Sequence, residues 1–162
     1  MAKAREIAGL RSEDRFGDVA ARVVSTRADE LLEHSEGVLE TSDIERVHAM
    51  RVASRRLRAA MEIFAPCFPR KRFKAALVEV KEIADALGER RDRDVSIESL
   101  RGFGEGLSDA DRRGVSMMLE HLAEEQSLAN EQLTPVVDRG RLVALRARLE
   151  ELTAVAERGG GS

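Results

Sequence analysis

His48, Arg51, Arg55 and Arg58 are spaced so that a helix would carry all four on one side. At about 100° per residue, with Arg51 at zero, His48 falls near 60°, Arg55 near 40° and Arg58 near −20°, a sector of about 80°. Guanidinium forks match phosphate and carboxylate oxygens two at a time. An imidazole can donate beside them, more strongly once protonated. The chemistry this row suits is the holding of a polyanion. Left alone, the row repels itself by a few tenths of a kcal/mol per pair, roughly. No acid stands between Arg46 and Arg58 to relieve it. Two readings stay open: a bound polyanion relieves the repulsion, or acids from other helices do.

The surrounding charge favours a local anion site. From Arg46 to Lys81 there are ten Lys/Arg against Glu62 and Glu79, a net +8, whereas the rest of the chain holds 17 basic and 28 acidic residues, a net −11. The overall charge of −3 argues against a general nucleic-acid binder, but a basic island in an acidic chain points to a site. Lys74 and Lys81 repeat at i, i+7, away from the apolar positions around them, and Lys81 is the better site candidate. Arg70, Lys71 and Arg72 cluster just before them, where snorkelling at an exposed helix end explains them equally well. Arg56 points away from the row, although its long side chain could bend round.

The elements that must carry these groups read as helices throughout. Leu, Ala, Val, Glu and Arg dominate, Trp and Tyr are absent, and no alternating strand pattern occurs. Ser12-Glu13-Asp14 predicts a first helix start, followed by Val19, Val23, Val24, Ala28, Leu31 and Leu32 at helical spacing. Ser42-Asp43-Ile44-Glu45 predicts a capping box, with a helix running to about Phe64 because Pro66 cannot continue it. Its apolar stripe is Val47, Met50, Leu57, Met61 and Phe64, on a different arc from the cationic row. Pro69 opens a third helix with Phe73, Leu77, Val80, Ala84 and Leu87 as its core face; Gly102, Gly104 and Gly106 predict a loop. Ser108-Asp109-Ala110-Asp111 caps a fourth helix, and Thr134-Pro135 marks a kink or a fresh start before Leu142, Leu145, Leu149, Leu152 and Val155. The expected fold is all-α: an antiparallel four-helix bundle of long amphipathic helices over residues 12–158, with 1–11 and 159–162 as flexible ends.

The residues Val47-His48-Ala49-Met50-Arg51-Val52-Ala53-Ser54-Arg55-Arg56-Leu57-Arg58 resemble the signature of the CHAD family, the conserved histidine α-helical domain. Leu87-Gly88-Glu89-Arg90-Arg91-Asp92-Arg93-Asp94-Val95 resembles that family's Leu-Gly-x-x-Arg-Asp-x-Asp-Val segment. The resemblance spans about residues 12–155, and its specific part is 47–95. It implies a helical module that binds inorganic polyphosphate, often targeted to polyphosphate granules. By motif position it implies phosphate contacts from His48, Arg51, Arg55, Arg56 and Arg58, with Lys81 and Arg91 beside them. Asp92 and Asp94 are expected to orient arginines or cap helices. Family members usually hold two such bundles around a basic groove, and this chain has one copy of the signature. The expectation is a half-size copy that is natural, shortened or redesigned. It would either form a homodimer that rebuilds the groove or stand as a monomer whose last helices cover the missing interface. Gly159-Gly160-Gly161-Ser162 reads as a linker.

Other function classes fare worse. His34, His48 and His121 are far apart in sequence, and there is no His-Glu-x-x-His or cysteine pair. No catalytic residue, metal or cofactor is therefore expected, with a phosphohydrolase as the enzymatic alternative. A nucleic-acid binder would use the same arginines but would ordinarily add aromatic stacking platforms. A protein-interaction bundle is the remaining alternative. The single cysteine, Cys67, can form no internal disulfide, which fits a reducing compartment. No apolar run approaches a membrane span, and the N-terminus lacks a signal-peptide core, so no membrane partner is expected and the expected location is cytoplasmic.

Overall fold

The computed structural model describes residues 3–159. It contains α1 (Phe16–Glu33), α2 (Ile44–Ile63), a 3-10 turn (Ala65–Cys67), α3 (Arg70–Gly104), α4 (Asp109–Val136) and α5 (Arg139–Glu157), and no strand among the described residues. The all-α expectation holds, but among the described residues the helices number five where the sequence suggested four. The break that separates them falls later than Thr134-Pro135. Pro135 sits inside the last turn of α4, and Asp138 caps α5 by accepting from the Arg141 amide at 3.0 Å. No helix is long and apolar enough to cross a membrane among the described residues.

Three element ends differ from their expected places. α1 begins at Phe16, after Ser12–Asp14, where the Asp14 carboxylate instead accepts from the Arg11 amide at 3.0 Å in a turn. α2 is capped by Asp43, which accepts from the Glu45 amide at 3.3 Å; Ser42 stands outside, and the reciprocal capping box does not form. α3 runs unbroken through Gly88, Gly102 and Gly104 for 35 residues. Of the three loop glycines only Gly106 turns the chain, at φ +83, a conformation that a side chain would strain. The lead-in is tied to α1: the Arg5 amide donates to Glu30, and Arg27 and Arg22 donate to the carbonyls of Arg5 and Gly9, each at 3.0 Å. Residues 1, 2 and 160–162 of the expected flexible ends lie outside the described residues.

α1 packs on α2 and α5, α2 on α3, and α3 on α4 and α5. Contacts at both ends show α2 and α3 running in opposite directions: Arg91 lies 3.9 Å from Glu45, and Lys81 lies 4.0 Å from Glu62. Val47, Met50, Leu57 and Met61 are fully buried, against Val24, Leu31, Ile83, Leu87, Leu145 and Leu149. Each such side chain contributes about 1.5–3 kcal/mol by leaving water. That burial commits one face of α2 to the core and fixes which residues the opposite face presents.

Buried charges on α3 and on α1 pin the helices. On α3, Arg90 and Asp94 are wholly buried and paired at 3.0 Å; Asn130 and Gln126 of α4 join the cluster at 2.6 Å each, while Arg90 Nη2 and Asp94 Oδ2 have no hydrogen-bond partner among the described residues. On α1, burial pushes the Glu30 carboxyl up. Hydrogen bonds from Arg27 and the Arg5 amide, with the charges of Arg27 and Arg56, outweigh this and hold it below the usual carboxylate range. A folded value below the unfolded one, about 4.3, means that the carboxylate stabilises the fold above that range. Its contribution is lost as pH falls through the depressed folded value. Glu30→Gln should therefore unfold at lower urea than the parent at about pH 7 and approach it at about pH 3. Equal midpoints at neutral pH would remove this role.

Candidate anion-binding face of α2 and α3

The exposed side of α2 follows from its buried side. With Met50, Leu57 and Met61 in the core, the helical period turns His48, Arg51, Arg55 and Arg58 toward the α3 flank. The row is about 15 Å long at 1.5 Å per residue. Arg55 is exposed, and Arg51, Arg58 and His48 are half-buried. Arg51 lies across α3 at Gly88, where an added Cβ would stand 3.7 Å from its Nε. On α3, Lys74, Lys81 and Gly88 fall on one line at seven-residue steps, so both lysines extend the strip that Arg51 meets at Gly88.

Among the described residues, carboxylates lie within 4.0 Å of this strip only at its ends, and both come from α2 itself. Glu62 lies 3.2 Å from Arg58 and 4.0 Å from Lys81, and Glu45 lies 3.9 Å from Arg91. Among the described residues no carboxylate lies within 4.0 Å of Arg51, Arg55 or Lys74. For the α2 row itself, no carboxylate of another helix lies within 4.0 Å among the described residues, whereas Lys81 and Arg91 of α3 are each met by an acid of α2. Two buried polar atoms at the same end of the strip have no hydrogen-bond partner: His48 Nδ1 and Arg91 Nη1.

The remaining candidates separate. Arg56 lies about 140° round α2 from Arg51, and its charge acts on Glu30 of α1. Arg70, Lys71 and Arg72 are exposed at the start of α3. Asp92 is exposed, whereas Asp94 orients Arg90, an arginine that the sequence reading left without a role. The spacing holds the signal for it: Phe73, Ala76, Val80, Ile83, Leu87, Arg90, Asp94 and Ile97 form an unbroken series of three- and four-residue steps. Glu45 and Glu62 also escaped sequence reasoning as partners of the strip.

His34 follows α1 as its C-cap, and His121 lies exposed on α4, 3.5 Å from Glu125. Burial pushes the Cys67 thiol up, which lowers its thiolate fraction at neutral pH. A cavity of about 320 Å³ between the start of α2, the far half of α3 and α4 is lined by Ile44, Asp94, Ile97, Arg101, Leu119 and Gln126, and by none of the strip residues. The family model described as the CHAD domain matches residues 22–161, which include the whole strip. A search of curated proteins finds no match.

Proposed function

The chain belongs to the CHAD family, and on that premise we propose that it binds inorganic polyphosphate along the His48–Arg58 face of α2 and the adjoining row of α3, without turning it over. The observation that carries this reading is the pair Arg51 and Arg55, cationic neighbours with no carboxylate within 4.0 Å among the described residues. Their repulsion is relieved by a ligand that brings several phosphates at once. Lys74, Lys81 and Arg91 lengthen the track. In a cell such binding would draw the protein to polyphosphate granules.

Polyphosphate suits the face better than nucleic acid does. The chain has no Trp or Tyr. Phe64, Phe68 and Phe73 are buried, Phe16 rests against Phe64 at 5.0 Å, and Phe103 stands near the far end of α3. None is offered as a stacking platform beside the arginines, which a polymer without bases does not need.

Titration with long-chain polyphosphate, duplex DNA and single-stranded DNA, matched in phosphate and salt, tests the proposal. Polyphosphate should bind tightest, and its affinity should fall by more than about tenfold between low and physiological salt, since each neutralised phosphate releases counterions. The opposite order would make the face a nucleic-acid site. Shortening of the polymer by the pure protein, abolished by a substitution in the strip, would overturn the non-catalytic half. Light scattering on the same samples reads whether the polymer joins two copies across a rebuilt groove or leaves a monomer with an open ledge.

A further inference from the structure

We propose that Glu62 is a built-in competitor of the ligand: its carboxylate occupies the place on Arg58 and Lys81 that a polyanion must take to use the full strip. The inference rests on the polyphosphate reading above. Glu62 Oε1 faces both cations, at 3.2 Å from Arg58 Nε and 4.0 Å from Lys81 Nζ. All three side chains are between 41% and 46% exposed, so water and ligand can reach the cluster and the carboxylate can swing out. The position is poor for the helix itself. Glu62 lies in the last turn of α2, where free carbonyls make a negative end that disfavours a carboxylate. Glu45 lies in the first turn, where the helix favours a negative charge with or without Arg91. Pairing with Arg58, one turn back on the same helix, and with Lys81 of α3 offsets this unfavourable end charge.

The strip then divides into two parts. Arg51 and Arg55 meet an incoming phosphate uncontested, whereas Arg58 and Lys81 must first release Glu62. A polymer held at the centre reaches Arg58 at high effective concentration and displaces the carboxylate. The cost of that displacement is subtracted from its affinity.

Calorimetric titration of long-chain polyphosphate into the parent, Glu62→Gln, Arg58→Gln and the Arg58→Gln/Glu62→Gln double variant tests this. Glu150→Gln serves as an equal charge change at an exposed α5 residue that has no ion pair among the described residues. Glu62→Gln should bind about two- to fivefold tighter than the parent, the range that an exposed ion pair's coupling allows. Glu150→Gln should bind as the parent does. The gain should shrink in the Arg58→Gln background, because the carboxylate there has lost its nearer partner. A gain no larger than that of Glu150→Gln, or one that persists in full without Arg58, overturns the inference while leaving the polyphosphate reading intact. Failure of the parent and every variant to bind sinks that reading and this inference with it.

Discussion

Arg55→Glu should weaken polyphosphate binding by about one to two orders of magnitude and leave the thermal midpoint unchanged or slightly raised. A hydrogen bond to a charged partner contributes about 1.5–3 kcal/mol, and roughly 1.4 kcal/mol is tenfold in affinity. Reversal adds repulsion to the loss. Folding should not suffer, because Arg55 is exposed and has no carboxylate partner among the described residues. A glutamate between Arg51 and Arg58 lowers the repulsion along the row. Arg113→Glu is the fitting comparison: Arg113 is exposed on α4 and makes no ion pair among the described residues. Arg148 would mislead, since it donates to the largely buried Glu79 that ties α5 to α3, and its reversal would damage the fold. Circular dichroism and melting curves confirm that each variant is folded, and calorimetry then compares affinities. Equal losses at Arg55 and Arg113 would replace a defined site with a diffuse field.

The face was legible in the sequence because it depends on the helical period alone. Once Met50, Leu57 and Met61 enter the core, the angular places of Arg51, Arg55 and Arg58 follow. What the sequence could not show was which residues of α2 and α3 meet. The approach of Glu45 to Arg91 depends on how α2 and α3 slide past each other, and the approach of Glu62 to Lys81 does too. That offset is set by packing and not by local propensity. Helix ends were legible where a side chain caps them, as Ser108 does by accepting from the Asp111 amide at 3.3 Å. They were misjudged where glycine was taken as a breaker. Gly104 stays helical where Val115 of α4 packs against it, 3.1 Å from the place of an added Cβ, a tertiary contact that opposes glycine's cost of about 1 kcal/mol; Gly102 is helical too but exposed, and no contact explains it. Arg90 was overlooked for a related reason: charge argued for the surface, while its step between Leu87 and Ile97 placed it inside.

Asp94→Ala should destabilise the protein by about 3–5 kcal/mol, because it leaves a buried guanidinium without its counter-charge. Arg90 and Asp94 are fully buried, and Asp94 Oδ1 accepts from both Arg90 Nε at 3.0 Å and Gln126 Nε2 at 2.6 Å. Arg90 Nη1 reaches Asn130 Oδ1 at 2.6 Å, and Asn130 Nδ2 donates to the Leu39 carbonyl at 3.0 Å, so the cluster joins α3, α4 and the α1–α2 link. Removing Asp94 strips one partner from each of two donors and leaves a cavity beside a charge. Against a typical stability of about 5–15 kcal/mol, that is a large fraction. The pair need not be better than apolar packing, since desolvation opposes its attraction. The Arg90→Met/Asp94→Leu double variant should therefore recover much of what either single change loses. Asn130→Ala, which removes one neutral acceptor, should cost about 1–3 kcal/mol. Urea unfolding of Asp94→Ala, Asn130→Ala, Arg90→Met, Asp94→Leu and the double variant gives these values, and the cycle formed by the last three with the parent gives the coupling. Additive losses, or an Asp94→Ala cost below about 1 kcal/mol, would mean that water reaches the cluster and that α3 is held by its apolar series alone. A strong coupling would mean that the turn bearing Gly88 and Arg91 is fixed from the inside, so that the strip is set in place before any ligand arrives.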